Sequence, residues 1–254
     1  MTTVTLTPLY LSRLIFDPRS RQVWNELAQP YEMHRTLMHA FEKYPIDDGA
    51  NPREKFGILF RADVDDTHNR AIVYVQSTVE PDWSFLANHP NYLLRDADPP
   101  NPACKDISEA YERLQRRQVF SFRLRANPTK RIAKPRKGDG ELKGKRVGLL
   151  REEEQIEWLT RKGQDCGFEI LMKDVEDENG EIRQVPRVSI CPEGKQRGRK
   201  REDGRSHETT HRAVCFDGLL RITDANAFRE TLVSGIGPAK AFGFGLLSIA
   251  PVRI

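Results

Sequence analysis

The sequence predicts an α+β fold of two tandem domains, each an antiparallel sheet with helices on one face. Three observations predict it. The first hundred residues read strand, helix, strand, strand. A proline-rich stretch then breaks the pattern, and the second half starts again with strand and helix and closes on strand, helix, strand. Residues 3–16 are β-rich and roughly alternating, and Asp17-Pro18 opens a turn. Residues 23–41 carry helical spacing, with Met33, Leu37, Ala40 and Phe41 as the buried stripe and Pro30 suited to a first helical turn. The runs GILFRAD (57–63) and AIVYVQS (71–77) flank the polar loop VDDTHN as a hairpin would. In DADPPNPACKD, prolines at 99, 100 and 102 block both helix and ladder hydrogen bonds. The predicted division is therefore a domain over 1–98, a linker over 99–111 and a second domain over 112–254.

In the second half, VFSFRLRANP (119–128) predicts a strand and residues 149–165 a helix. FEILMKDV (168–175) and VPRVSI (185–190) predict strands on either side of the turn DENGE. The chain ends on strand 211–222, helix 224–233 and strand 244–254. Two such β-α-β-β-α-β units form the ferredoxin-like arrangement, which by itself fixes no function.

The 254 residues include 41 Lys and Arg against 37 Asp and Glu, a net charge of +4, so a polyanionic partner must be argued from where the charge sits. No stretch reaches the roughly 18 apolar residues of a membrane helix, and the N-terminus carries no basic region followed by an apolar one. No membrane partner is expected. Four cysteines without a CxxC pair fit a reducing, cytoplasmic setting.

The charge is concentrated. Ten Lys or Arg lie between Arg123 and Arg146 against only Asp139 and Glu141, and KQRGRKREDGR at 195–205 is a second basic segment. Both read as loops. Two such segments suit phosphate neutralisation with counterion release, while either one alone is equally read as a solvated surface. Near the C-terminus, Gly235, Gly237, Gly243 and Gly245 form G-x-G, five residues, G-x-G. This is neither a dinucleotide fingerprint nor a Walker loop. It can present backbone N–H groups to phosphates, or simply make a tight helix-to-strand turn. In PYEMHRTLM, Tyr31 and His34 lie one helical turn apart with Arg35 alongside, so a phenol, an imidazole and a guanidinium could act on one phosphate. His39, His68 and His89 read as surface residues.

YLSRLIFDPRSRQVW, YEMHRTLMHAF, FRLRANPTK and GIGPAKAFGFGLLSIAPV together resemble the CasE family, the CRISPR repeat-processing endoribonucleases of type I-E Cascade complexes. The glycine tail is typical of the wider RAMP superfamily. The resemblance implies two ferredoxin-like domains and cytoplasmic cleavage of precursor CRISPR RNA at the 3′ base of each repeat hairpin. It also implies retention of the product within Cascade, among that complex's other subunits. By position it puts the catalytic histidine on His34, its helper on Tyr31 and a basic RNA contact on Arg35. The implied chemistry is attack by the ribose 2′-hydroxyl on the adjacent phosphate, with no metal or other cofactor. Whether His34 is base or acid stays open. Arg13, Arg125, Lys130, Arg131, Lys143, Lys145, Arg146, Arg197, Arg199, Lys200, Arg201 and Lys240 are the further candidate RNA contacts.

Two rivals remain. HETTH at 207–211 matches the HExxH string of zinc proteases, with Glu230 spaced to supply a third ligand, but it adjoins a strand rather than a long helix. A non-catalytic RNA-binding subunit of the same superfamily would keep the glycine loop and the basic surface without needing the Tyr31–His34 pair.

Overall fold

A computed structural model describes residues 7–46, 50–65, 70–95, 100–132, 146–202 and 205–252; for 65, 197–202 and 205–208 it describes the main chain alone. Strand β1 (Tyr10–Phe16) leads through the buried Asp17 into helices α1 (Arg21–Ala28) and α2 (Pro30–Met38). The Ser20 hydroxyl accepts from the Val23 N–H to cap α1, and Pro30 occupies the first turn of α2, where a missing N–H costs nothing. A one-turn helix, α3 (Pro52–Lys55), precedes the hairpin of β2 (Leu59–Asp65) and β3 (Arg70–Ser77). Next come β4 (Ala103–Asp106) and the short α4 (Ser108–Glu112). The sheet order is β2-β3-β1-β4, antiparallel throughout, which is the ferredoxin-like order. Leu14, Phe16, Phe60, Val73 and Val75 face α1 and α2 and pack with Val23, Met33, Leu37 and Phe41.

The expected linker is corrected here. Within 99–111, residues 103–106 pair with β1 in the register Arg13↔Ala103 to Tyr10↔Asp106 and complete the first sheet. Pro100 and Pro102 lie just ahead of this edge strand, where no ladder hydrogen bond is lost. Between them Asn101 imitates a strand residue. Its side chain accepts from the Ile15 N–H (2.9 Å) and donates to the Ile15 and Leu94 carbonyls (2.6 and 3.0 Å).

The second sheet starts with β5 (Val119–Ala126). The ends of the predicted basic loop pair as a ribbon, β6 (Thr129–Arg131) with β7 (Arg146–Gly148). Then follow α5 (Glu152–Asp165), β8 (Phe168–Ile170) and the exposed ribbon of β9 (Met172–Glu176) and β10 (Ile182–Pro186). A long hairpin, β11 (Val188–Glu202) with β12 (Arg205–Ile222), precedes α6 (Ala225–Ser234) and β13 (Leu247–Pro251). The second basic segment is therefore not a loop. Residues 195–202 are laddered against 205–212, because the main-chain pairing of β11 continues outward whatever charge its side chains bear. The order is β11-β12-β5-β13, with β8 joining the far end of β12, again the ferredoxin-like order. Trp158, Leu159, Phe216, Phe228 and Leu232 form its core.

The two units are locked together by buried polar contacts. Gln76 donates to the Leu232 carbonyl (2.6 Å), and Arg61 donates to the Ser248 hydroxyl (2.8 Å).

Candidate catalytic cavity and basic surface

Helix α2, the start of α3 and the glycine loop enclose a cavity of about 580 Å³. Tyr31 and His34 project into it from adjacent turns of α2, their rings 5.8 Å apart and nearly parallel (11°). Phe60 of β2 backs the imidazole at 6.3 Å, and Phe242 of the loop backs the phenol at 5.7 Å. His34 Nε2 is shielded and has no hydrogen-bond partner among the described residues. Burial, with Arg53 second, pulls this imidazole down from 6.5 to about 4, so it is neutral at physiological pH. Lys240 is half-buried in the wall of the same cavity, and burial, followed by Arg53, lowers its ammonium below the ordinary lysine value. Arg53 belongs to the same wall, where the Asn51 side chain accepts from its N–H (3.1 Å).

All four glycines of the loop have positive φ, from 75° at Gly235 to 92° at Gly245. A Cβ on Gly235 would stand 2.8 Å from a Leu59 methyl and 2.9 Å from the Gly245 carbonyl. Three of the four glycine N–H groups are committed inside the protein: Gly235 donates to Thr231, Gly243 to Lys240 and Gly245 to Arg125. Those three serve the turn and do not face a ligand, which corrects the phosphate-cradle expectation for them. What the loop offers the cavity is Gly237 to Phe242, with the Lys240 side chain.

On the far side of Gly237 and Pro238 lies a second hollow of about 620 Å³, floored by Trp158 and ringed by Lys130, Arg131, Arg146, Arg161 and Lys162. Lys130 is paired with Glu154 (2.6 Å) and Lys162 with Asp165 (3.5 Å). Among the described residues, Arg131, Arg146 and Arg161 have no ion-pair partner. Arg131 and Arg146 even face one another across the β6–β7 ladder, an arrangement of like charges that an external polyanion relieves.

The fold thus brings Tyr31, His34 and Lys240 into one cavity and Lys130, Arg131 and Arg146 into its neighbour. Other candidates fall elsewhere. Arg35 lies on the exposed side of α2, paired with Glu32 (3.0 Å). Arg13 alternates with the core residue Leu14 and so leaves the opposite face of the sheet from His34. Arg125 is 5 % exposed and holds the glycine loop: Nε to Glu193 (2.5 Å), Nη1 to the Gly243 and Phe242 carbonyls, and the guanidinium 4.8 Å over Phe244. Its Nε and Nη1 are engaged inside the protein. Arg197, Arg199, Lys200 and Arg201 lie on the β11 half of the hairpin, while Lys143 and Lys145 are outside the described residues.

HETTH lies wholly within β12, so His207 and His211 are about 13 Å apart along an extended strand, where no single ion can join them. Glu230 sits on α6. His211 is instead packed on Phe242 (4.5 Å), with the Asn127 amide against its Nδ1 (3.2 Å). Sequence reasoning missed Arg53, Arg161 and Lys162. The signal for Arg53 was Asn51-Pro52, a cap followed by a first-turn proline, which starts a helix beside the site.

A family model described as CRISPR associated protein matches residues 9–251. The CRISPR-associated endoribonuclease Cse3 of Thermus thermophilus is 35% identical over 245 residues, covering 96% of this chain and 100% of that protein. The CRISPR system Cascade subunit CasE of Escherichia coli is 31% identical over 247 residues, with 96% and 100% covered. Among solved structures, a CRISPR endoribonuclease Cse3 bound to 19 nt RNA superposes with a TM-score of 0.70 at 33% identity, covering 96% of this chain and 100% of that one. The CRISPR-associated protein Cas6e of Escherichia coli superposes with a TM-score of 0.58 at 29% identity and the same coverage. Matched along almost its whole length by the family model and by both relatives, the chain belongs to the CRISPR associated protein family, in its Cse3/CasE branch.

Proposed function

We propose that this protein is an endoribonuclease that binds the repeat stem-loop of precursor CRISPR RNA and cuts it once, in the cytoplasm, at the 3′ base of the hairpin. It then keeps the mature RNA as a subunit of Cascade. The observation that carries this reading is the Tyr31–His34 pair, with a shielded Nε2 that has no partner among the described residues, in a cavity that shares Gly237 and Pro238 with a hollow ringed by cations. A stem held by Arg131, Arg146, Arg161 and their neighbours would deliver the strand at its base across that ridge to His34. In this division of labour the first domain (1–98, completed by β4) carries the catalytic helix, and the second (112–254) carries the stem-binding surface and the loop.

In the chemistry we infer, the 2′-oxygen attacks phosphorus, the O2′–P bond forms and the P–O5′ bond breaks. The products are a 2′,3′-cyclic phosphate and a free 5′-hydroxyl. A neutral imidazole keeps one ring nitrogen free to accept a proton and is itself a very weak acid, so His34 takes the 2′-proton, and water supplies the proton that the departing 5′-oxygen takes up. Tyr31 holds the imidazole plane. The nucleophile is intramolecular and its proton acceptor is a side chain, so the reaction is expected to proceed in EDTA.

The test is cleavage of a labelled repeat hairpin in EDTA by wild type and His34→Ala, with a 2′-deoxy substitution at the cut site. One cut by wild type, absent from the variant and from the deoxy substrate while binding persists, is the expected result. Tight binding without a cut by wild type would show a binding subunit instead. Cutting abolished by EDTA would overturn the mechanism.

A further inference from the structure

We propose that Arg53 is the residue that takes up the charge developing on the reacting phosphate, acting with Lys240 in the cavity that His34 lines. The inference rests on the function proposed above and names a participant that neither the sequence pattern nor the family resemblance supplies. Three observations carry it. First, the placement of Arg53 is built: Asn51 caps the turn through the Arg53 N–H, Pro52 fixes the first helical residue, and the Arg53 side chain is only 13 % exposed. Second, the guanidinium is incompletely satisfied. Among the described residues its one ion pair runs from Nη2 to Glu54 (2.6 Å), whose own side chain is 68 % exposed, so much of the planar fork is left for another acceptor. Third, among the described residues no carboxylate lines the cavity, Glu54 reaching Arg53 and Lys240 from outside the lining, and three basic groups, His34, Arg53 and Lys240, line it.

Gathering like charges in a half-buried hollow is unfavourable unless an anion completes it. A phosphodiester brings one negative charge and acquires a second as the 2′-oxygen bonds to phosphorus, so such a site favours the transition state over the ground state. A guanidinium suits the task because two of its N–H groups can reach both non-bridging oxygens together.

After burial, which is the larger cause, the proximity of Arg53 also lowers the proton affinity of His34. Among the described residues, the titratable groups that line the cavity with that imidazole are Tyr31 on its own helix, Arg53 from α3 and Lys240 from the loop; the last two are cationic, and Glu54 acts on both of them. Removing Arg53 therefore has two signatures, a slower chemical step and an acid limb of the pH–rate profile displaced to higher pH.

The experiment is single-turnover cleavage of the repeat hairpin by saturating wild-type, Arg53→Ala and Arg53→Lys protein from pH 4 to 8, with the dissociation constant measured on the 2′-deoxy hairpin. The expected result is a rate loss of about 100-fold for Arg53→Ala, with affinity changed by less than about threefold. Arg53→Lys should regain part of the rate, and only Arg53→Ala should show the displaced limb. A wild-type rate in Arg53→Ala overturns the proposal. So does a loss confined to affinity, which would make Arg53 a binding contact only. If wild type binds the hairpin without cutting it, the functional reading itself falls, and this one with it.

Discussion

At the scale of single residues, the unusual feature is a histidine kept neutral by its surroundings. Folded His34 gains its proton only near pH 4, whereas in the unfolded chain it does so near 6.5. Between those values the unfolded state binds the extra proton, so stability present above pH 6.5 is lost as pH falls through the window, by up to about 3 kcal/mol. Comparing urea unfolding of wild type and His34→Gln at pH 7 and 5 checks this; the variant should lose less stability on acidification, and equal losses would refute it. His211, also lowered by burial, adds a background common to both proteins. The Tyr31–His34 pair was legible in the sequence because helical spacing fixes which side chains are neighbours. Arg53 was not, since its approach to His34 depends on where α3, about twenty residues further on, is set in the fold. The internal contacts of Arg125 were hidden for the same reason: nothing near it in sequence announces Glu193 or the carbonyls of the glycine loop.

At the scale of elements, the glycine loop is a turn whose geometry is enforced from within. The Ile236 N–H donates to the Gly245 carbonyl (2.9 Å), and the Gly245 N–H to Arg125 (2.8 Å), so the two ends of the motif are stitched together. Gly235→Ala meets both a positive φ and a crowded site against Leu59 and Gly245. We expect a cost of about 2–3 kcal/mol, read as a lower Tm, together with slower cleavage because Lys240 is displaced. An unchanged Tm would show that the loop yields more easily than its packing suggests. The spacing announced a special turn, but the sequence did not reveal which N–H groups the turn would use. Likewise charge hid the hairpin 195–212: Lys, Arg and Gly are poor strand formers by propensity, and the main-chain ladder overrides that preference.

At the scale of the molecule, the order of elements was legible and so was the ferredoxin-like order of each sheet. The extent of the first domain was misjudged, because prolines mark the approach to β4 and not a break between domains. In the function proposed above, the two hollows that share Gly237 and Pro238 divide binding from chemistry. Replacing Arg131 and Arg146 together by Ala should flatten the dependence of log Kd on log salt by about two, one for each phosphate that is no longer neutralised. The single-turnover rate at saturating protein should hold. An unchanged slope would remove β6 and β7 from the stem-binding surface. Strand β12 carries a consequence of another kind. It runs unbroken from Arg205, in the basic hairpin, to Ile222, buried against β5 and β8. A pull on the hairpin along its length would reach the interior as shear, loading the rungs of the ladder together instead of peeling them apart singly. A rod set deep in a wall resists in that way, and tension in a gripped strand would be borne by the hydrophobic core.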